Sequence, residues 1–480
     1  MQSFLGIARW CSIGIVALTV LWPYGVGWSA DPAFEVVAGQ RQLFMDDVGI
    51  ERIENLQSTM HTPAKRGAVI RSPDPTKSVQ IRTSPKWDPQ QKLYKLWTLT
   101  IDEMLWESKD GLHWTPGPTP NTRVWLVVRD PHDDDPQRRY KGARLNQGFL
   151  ASPDGVNWKS LDLPKVHSSD EGNLTYDPET RLFIHTVKRG GPHGRAVSAA
   201  ISYDFETWDD IGPIFHADEL DQVLGRERIR ARFADPNLHD PPYNDPRVYN
   251  VDIYNMGVSR YESIYIGFPA MFHSTGPVPN YPNTVGFHHV QLTSSRNIKD
   301  WTRQGDRQPF IGPSHLGSGA YDLTQILPPS EPIVRDDELW FYYTGLKYRG
   351  SFRWEGKYPQ GKSIPIPERN WDVSAVCLAV LRRDGFISLD GDHTGGTVTT
   401  RPFEAPGNDL FVNVDAREGE FQVELIDSAS EVIARSDPVG GDLKSQKVIW
   451  QDGRSPQFAG KTVSLRFTVR SGQFYSYWIK

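Results

Sequence analysis

One recurring spacing constrains this chain more than any other feature. Four segments place a Ser and a Trp six positions apart: Ser108-Lys-Asp-Gly-Leu-His-Trp114, Ser152-Pro-Asp-Gly-Val-Asn-Trp158, Ser202-Tyr-Asp-Phe-Glu-Thr-Trp208 and Ser295-Arg-Asn-Ile-Lys-Asp-Trp301. Arg383-Asp-Gly-Phe-Ile387 is a degenerate fifth copy. Upstream of each lies a turn followed by an aromatic strand, as in Asp88-Pro-Gln-Gln-Lys-Leu-Tyr94, Asp135-Pro-Gln-Arg-Arg-Tyr140 and Asp177-Pro-Glu-Thr-Arg-Leu-Phe183. Asp and Pro open tight turns through local hydrogen bonding and a preset φ. Apolar, β-branched runs such as Val124 to Val128 suit strands. Strand, Asp-Pro turn, strand, variable loop, strand, Ser-x-Asp turn and Trp strand make a four-stranded meander. Five such units stack as the blades of a β-propeller, which leaves only short, protected edges. The expected blades run over roughly 76–115, 122–160, 170–210, 248–303 and 320–390, with one short helix over Ala217 to Phe233 in an inserted loop.

After Asp390 the texture changes. Leu410 to Val414, Phe421 to Ile426 and Val463 to Val469 alternate like sandwich strands between Gly- and Asp-rich turns. The expected fold class is therefore all-β: a five-bladed β-propeller over 76–390, followed by a C-terminal β-sandwich over 391–480. Residues 31–75 are expected to pack on the propeller or close it. Residues 1–30 read as an export signal. Arg9 is the only charge before Asp31, Ile13 to Trp22 is apolar, and Gly25, Gly27, Ser29 and Ala30 are small. The alternative is an uncleaved anchor, since Trp10 to Ala30 is uncharged. The expectation is an exported protein, periplasmic or extracellular, with no stable membrane insertion once the leader is cleaved.

Composition removes several functions. Of two Cys, Cys11 lies in the leader, so Cys377 stands alone; an intrachain disulfide and a Cys-based zinc or iron–sulfur site are excluded. The net charge is -6 with both signs interspersed, so no nucleic acid partner is expected. The 16 Trp suit core packing or sugar stacking. Nothing sets an oligomeric state.

The repeat also sorts the loops. Asp-Pro and Ser-x-Asp turns are short and share one face. The variable segments 209–247, 269–289, 302–320 and 347–373 share the other, where binding residues are expected. On that face inner strands open with Asp170-Glu171-Gly172-Asn173, with Asp252, and with Tyr321-Asp322. Crowded carboxylates push one another's pKa apart. Glycoside hydrolysis needs that pairing, an acid on the leaving oxygen and a base or nucleophile opposite. The plainer reading is a set of hydrogen-bonded inner-strand carboxylates, or ligands of a structural Ca2+ on the propeller axis; no cofactor is required. Asp102, His193 and Arg195 ring the same face, and Trp354 and Trp371 lie in the loop over it as stacking candidates. Before the first blade come Gln42-Leu-Phe-Met-Asp-Asp47 and His61, a strand able to close the propeller or reach its mouth.

Leu43-Phe-Met-Asp-Asp47, Arg138-Arg-Tyr-Lys141, Ser152-Pro-Asp-Gly155, Gly194-Arg195, Arg383-Asp-Gly-Phe-Ile-Ser388, Asn413-Val-Asp415, Leu465-Arg-Phe467 and Phe474-Tyr-Ser-Tyr-Trp478 resemble a set of secreted planctomycete-type proteins. That set is grouped with the five-bladed propeller glycoside hydrolases, the superfamily of families 32, 43, 62, 68 and 117. The resemblance implies a carboxylate base or nucleophile, a second, tuning Asp and a Glu acid from successive inner strands. This chain departs from the pattern where blade 1 opens, near Lys77-Ser-Val-Gln80, with no carboxylate. Asp46, Asp47 or Asp102 would have to replace it. The expectation is a glycosidase acting on a poly- or oligosaccharide, with Glu171 as general acid, Asp322 or Asp252 as base or stabiliser, and Asp170 and Asp47 as further catalytic candidates. His61, Arg195, His193, Asp102, Trp354 and Trp371 are the expected substrate-binding set. The rival expectations are a non-catalytic glycan-binding propeller and a structural or partner-docking one.

Overall fold

The computed structural model describes residues 34–277, 284–348, 372–453 and 455–480. The leader lies outside the described residues, as do Trp354 and Trp371. Among the described residues, strands form five antiparallel blades and one larger sheet. Blade 1 is Lys86–Asp88, Leu93–Trp97, Leu105–Ser108 and Thr115–Pro116. Blade 2 is Leu126–Arg129, Tyr140–Arg144, Gly148–Ser152 and Lys159–Leu161. Blade 3 is Gly172–Asp177, Leu182–Gly191, Gly194–Ser202 and Asp209–Phe215. Blade 4 is Asn250–Tyr261, Ile264–Pro277, Thr293–Ser295 and Thr302–Arg303, with Thr284–Val290 added on its second strand. The protein is an all-β five-bladed propeller joined to a barrel-like sandwich.

Blade 5 differs from the repeat. Its strands are Gln325–Leu327, Glu338–Leu346, Ser374–Arg382 and, outermost, Ala64–Arg71 from near the N-terminus, with Ile333–Arg335 added on Glu338–Leu346. The degenerate copy Arg383 to Ile387 does not supply the fourth strand. It lacks the Ser and Trp that build the turn, and the chain instead leaves the blade to form Ile387–Gly391 in the larger sheet. Early and late segments thus share one blade, and the ring is closed by antiparallel pairing.

The turn explains why the motif recurs. Ser152 Oγ donates to Asp154 Oδ1 (3.0 Å) and accepts from Gly155 N (2.9 Å), while Asp154 Oδ1 accepts from Val156 and Asn157 N. Trp158 Nε1 then donates to Gly155 O (3.0 Å). Ser108 and Trp114 repeat this geometry. These bonds hold Asp154 below the usual carboxylate range, against the opposing effect of burial. The fourth turn position takes φ > 0: Gly111 and Gly155 adopt it freely, while Phe205 and Ile298 adopt it with a side chain.

The same turns fasten neighbouring blades. Trp97 of blade 1 donates to Gly155 O of blade 2 (2.9 Å), and Tyr342 of blade 5 donates to Gly111 O of blade 1 (2.7 Å). Beneath them, buried Lys95 and Tyr140 share Asp88 Oδ2 (3.1 and 2.8 Å). Gly155→Ala would put a Cβ 2.4 Å from Trp97 Cζ2 at φ 78°. It is expected to lower unfolding free energy by about 2–3 kcal/mol, read from urea unfolding.

The larger sheet interleaves both ends of the chain. Ile50–Glu54 pairs Gly396–Thr400, Leu56–Met60 pairs Ile387–Gly391, and Gln42–Leu43 pairs Gly472–Ile479. Phe421, Phe467, Phe474 and Tyr477 pack its core. The inserted helix, Glu219–Ala234, starts at a capping box in which Asp218 and Asp221 exchange backbone bonds. No helix among the described residues is long and apolar enough to cross a membrane.

Candidate functional site

The site forms where inner strands open on the variable-loop face. Arg82, just ahead of blade 1, reaches Glu171 at the opening of blade 3: Nε to Oε2 is 2.5 Å and Nη2 to Oε1 is 2.7 Å. Blades 1 and 3 are not neighbours, so this contact crosses the axis. Deeper in, Asn173 donates to Arg82 O (3.2 Å) and Ser330 Oγ (2.8 Å), and Asn255 donates to Asn173 Oδ1 (3.2 Å). Groups from blades 1, 3, 4 and 5 thus close the axis below the Arg82–Glu171 pair. A calcium ion needs oxygens free of competing cations. Both Glu171 oxygens are taken by Arg82, so these residues do not fit a calcium ion there. Among the described residues no group of three His, Cys, Asp or Glu is placed to hold a metal.

Glu171 has company on both sides. Asp170, largely exposed, pairs with buried Lys188. Lys188 Nζ lies 4.2 Å over the Tyr254 ring. Burial pulls its ammonium below the ordinary lysine value, with Glu171 and Asp170 opposing that shift. On blade 4, Asp252 Oδ2 accepts from Arg195 Nε (2.9 Å) and Arg195 N (3.3 Å). Residue 194 must be Gly for this approach: its φ is 117°, and a Cβ would sit 2.8 Å from Asp252 Oδ2. The Arg195 guanidinium lies over Phe272 (4.4 Å) and toward Tyr254 (5.7 Å). His193 faces Glu219 at the helix start (3.4 Å), and its carbonyl accepts from Asn250. The result is one polar, aromatic-lined cluster between blades 3 and 4: Arg82, Asp170, Glu171, Lys188, Arg195, Asp252, Tyr254 and Phe272.

Other expected residues lie elsewhere. Asp322 opens blade 5 but turns across its own blade, to Lys65 Nζ (2.7 Å) and Tyr343 Oη (2.8 Å). Burial, then the Asp322 charge, push the neighbouring Cys377 thiol up and keep it protonated. Asp102 is exposed and pairs with Lys77 (2.6 Å). Asp46 pairs with Arg296 (2.7 Å) in the Ser295-Arg-Asn turn of blade 4, which places exposed Asp47 beside the opposite face. His61 bonds Ser388 Oγ (2.7 Å) and packs on Tyr475, in the sandwich. Sequence reasoning missed Arg82, Lys188, Tyr254 and Phe272. Two signals were available: Arg82 occupies the blade 1 opening that lacks a carboxylate, and Tyr254 follows Asp252 by the strand period of two.

Fold and site together define a five-bladed propeller with an axis-centred polar mouth. No family model matches the chain, and no curated protein matches it. Among solved structures it is similar to a glycoside hydrolase (14% identity, 67% of this chain and 92% of that one, TM-score 0.39). It is also similar to the catalytic domain of a GH62 alpha-L-arabinofuranosidase from Coprinopsis cinerea (11%, 67% and 97%, TM-score 0.38). A third is a GH32 beta-fructofuranosidase from Bombyx mori (9%, 89% and 93%, TM-score 0.30).

Proposed function

We propose that this chain is an exported, carbohydrate-active propeller that cleaves a glycosidic bond at the mouth between blades 3 and 4. The observation that carries the reading is the pair of carboxylates Glu171 and Asp252. They stand on successive inner strands, each oriented by its own Arg, with the rings of Tyr254 and Phe272 alongside. Aromatic faces and charged hydrogen-bonding groups are what a sugar ring requires. A carboxylate that accepts two bonds from a buried guanidinium is an ionised acceptor, not a proton donor. In this reading Glu171 therefore stabilises the positive charge that develops on the sugar, and Asp252, likewise an acceptor from its Arg195, takes the proton of the attacking water and passes it to the leaving oxygen.

Incubation of the whole protein with a polysaccharide panel, read by new reducing ends and by calorimetric binding, tests the proposal. Release of reducing ends that disappears in Asp252→Asn is expected. Binding without release would replace hydrolysis with the second reading, a non-catalytic glycan-binding propeller. That reading is favoured by the cation partner each of Asp170, Glu171 and Asp252 already has. Export rests on the apolar leader, and fractionation with N-terminal sequencing checks it; a chain confined to the cytoplasm with Met1 intact would overturn it.

A further inference from the structure

Two imidazoles lie buried under the inserted helix, outside the cluster at the mouth. His273 is fully buried and His289 nearly so. They stand on the neighbouring strands Ile264–Pro277 and Thr284–Val290, with ring centroids 4.6 Å apart. His273 stacks on Phe287 (4.8 Å) and points Nδ1 at Met271 O (3.3 Å), which makes Nδ1 its protonated nitrogen when neutral.

The protonation state of His289 follows from its neighbour. Gln291 Nε2 donates to Arg307 O (2.8 Å), and Gln291 Oε1 accepts from Arg303 Nη1 (3.0 Å). Those two bonds fix which end of the amide is NH2, and that NH2 faces His289 Nε2 at 3.4 Å. His289 Nε2 must therefore accept, so the ring is neutral. A proton there would set donor against donor.

The charges nearest the two rings oppose a positive charge on either one. The helix contributes Arg228 and Arg232, and the other strand contributes the second His. The outer edge of blade 4 contributes Arg303 and Arg307, whose charges are already matched by Asp221 and Asp218. The helix rests directly on His273: a Cβ on Gly225 would meet Val251 Cγ2 at 2.1 Å and His273 Cδ2 at 3.7 Å. One turn earlier, Gln222 grips both backbone groups of Val251, donating to its carbonyl (2.7 Å) and accepting from its N–H (3.0 Å). The next residue is Asp252.

We propose that the buried His273–His289 pair is an acid-sensitive latch beneath the helix Glu219–Ala234. Protonation of the imidazoles releases that helix and, with it, the start of the strand that bears Asp252. As regulation of the mouth, the latch rests on the functional reading of Asp252; as a conformational device, it does not.

The sign follows from the neutral folded form. Burial first, then the nearby arginines, hold the His273 imidazole down to about 3, and burial and His273 hold His289 well below its ordinary value. Docking is therefore complete above the ordinary histidine value near 6.5 and weakens as pH falls below it. Each imidazole that protonates on opening raises the opening equilibrium by up to about tenfold per pH unit.

Hydrogen exchange of the whole protein at pH 7.5, 6 and 5, corrected for the chemical rate, reads this without any saccharide. Opening of 219–234, 284–290 and 250–256 is expected to rise at least about tenfold between pH 6 and 5, while blade 2 keeps its protection. His289→Gln supplies an uncharged acceptor to Gln291, and is expected to flatten that dependence by up to about tenfold per pH unit. Equal opening at pH 7.5 and 5, or an unchanged slope in His289→Gln, would overturn the latch. Should His289→Gln not fold, His273→Phe keeps the stack on Phe287 and serves the same comparison. Failure of every saccharide to react would remove the functional reading of Asp252 and leave these exchange rates as they are.

Discussion

Asp384→Asn is expected to lower the unfolding free energy by about 3–5 kcal/mol, the largest loss from a single substitution outside the mouth. Asp384 is 1% exposed and accepts from four side chains. Arg41 Nη1, Tyr261 Oη and Ser476 Oγ each stand at 2.5 Å, and Asn413 Nδ2 at 3.1 Å. Tyr261 belongs to blade 4, Asn413 and Ser476 to the sandwich, and Arg41 to the segment leading into it. One carboxylate thus joins propeller to sandwich. Burial and the Asp384 charge push the Tyr261 phenol well above its ordinary value, so it stays a donor. Asn keeps the volume but presents an NH2 to a shell of donors. It also leaves Arg41 buried and uncompensated, its guanidinium 3.8 Å over Trp478. Urea unfolding followed by Trp fluorescence reads the loss. Glu54→Gln, which breaks the exposed Arg52–Glu54 pair, is the control and should move stability by less than about 1 kcal/mol. A shift that small in Asp384→Asn would show that the carboxylate does not bind the two units together.

That residue also marks where sequence reasoning stopped. The propeller was legible because its signal is local: Ser152, Asp154 and Trp158 satisfy one another within seven residues, and the pattern recurs where the bonds recur. Arg383-Asp-Gly-Phe carries the same letters without the Ser and the Trp. Its Asp384 finds partners distant in sequence, which no spacing reveals. Residues 31–75 are expected from the sequence to pack on the propeller or close it. Which strand does so, and its pairing of Ala64–Arg71 with Ser374–Arg382, were hidden for the same reason, since that pairing is wholly non-local. The strand openings placed Glu171, Asp170 and Asp252 on the variable-loop face, and in the structure they cluster there. Side-chain direction was a separate matter. Asp322 opens a blade as the others do, yet Lys65 and Tyr343 draw it away across blade 5. The cations were the least legible, because Arg82 reaches Glu171 only once five blades have closed a ring.

Glu171→Gln is expected to cut turnover of the cleaved saccharide by at least about 10²-fold while the chain keeps its fold. Both Glu171 oxygens receive N–H groups of Arg82, and the side chain is nearly buried. Gln preserves length and one acceptor, but turns an NH2 toward the guanidinium and deletes the negative charge. On the proposed reading, that charge offsets the positive charge growing on the sugar in the transition state, so kcat falls and KM moves little. Because Arg82 is left buried beside an uncharged amide, the melting temperature falls as well, but a role in stability alone would leave kcat intact well below that temperature. Arg82→Lys separates charge from geometry. It keeps a cation beside Glu171 and loses the two-pronged bond, so activity should fall between wild type and Arg82→Met. Asp252→Asn should remove turnover as well, with a smaller effect on stability, because Arg195 is more exposed than Arg82 and retains its contacts with Phe272 and Tyr254. Full turnover in both Glu171→Gln and Asp252→Asn, on a saccharide that the wild type cleaves, would remove the mouth between blades 3 and 4 as the seat of the chemistry.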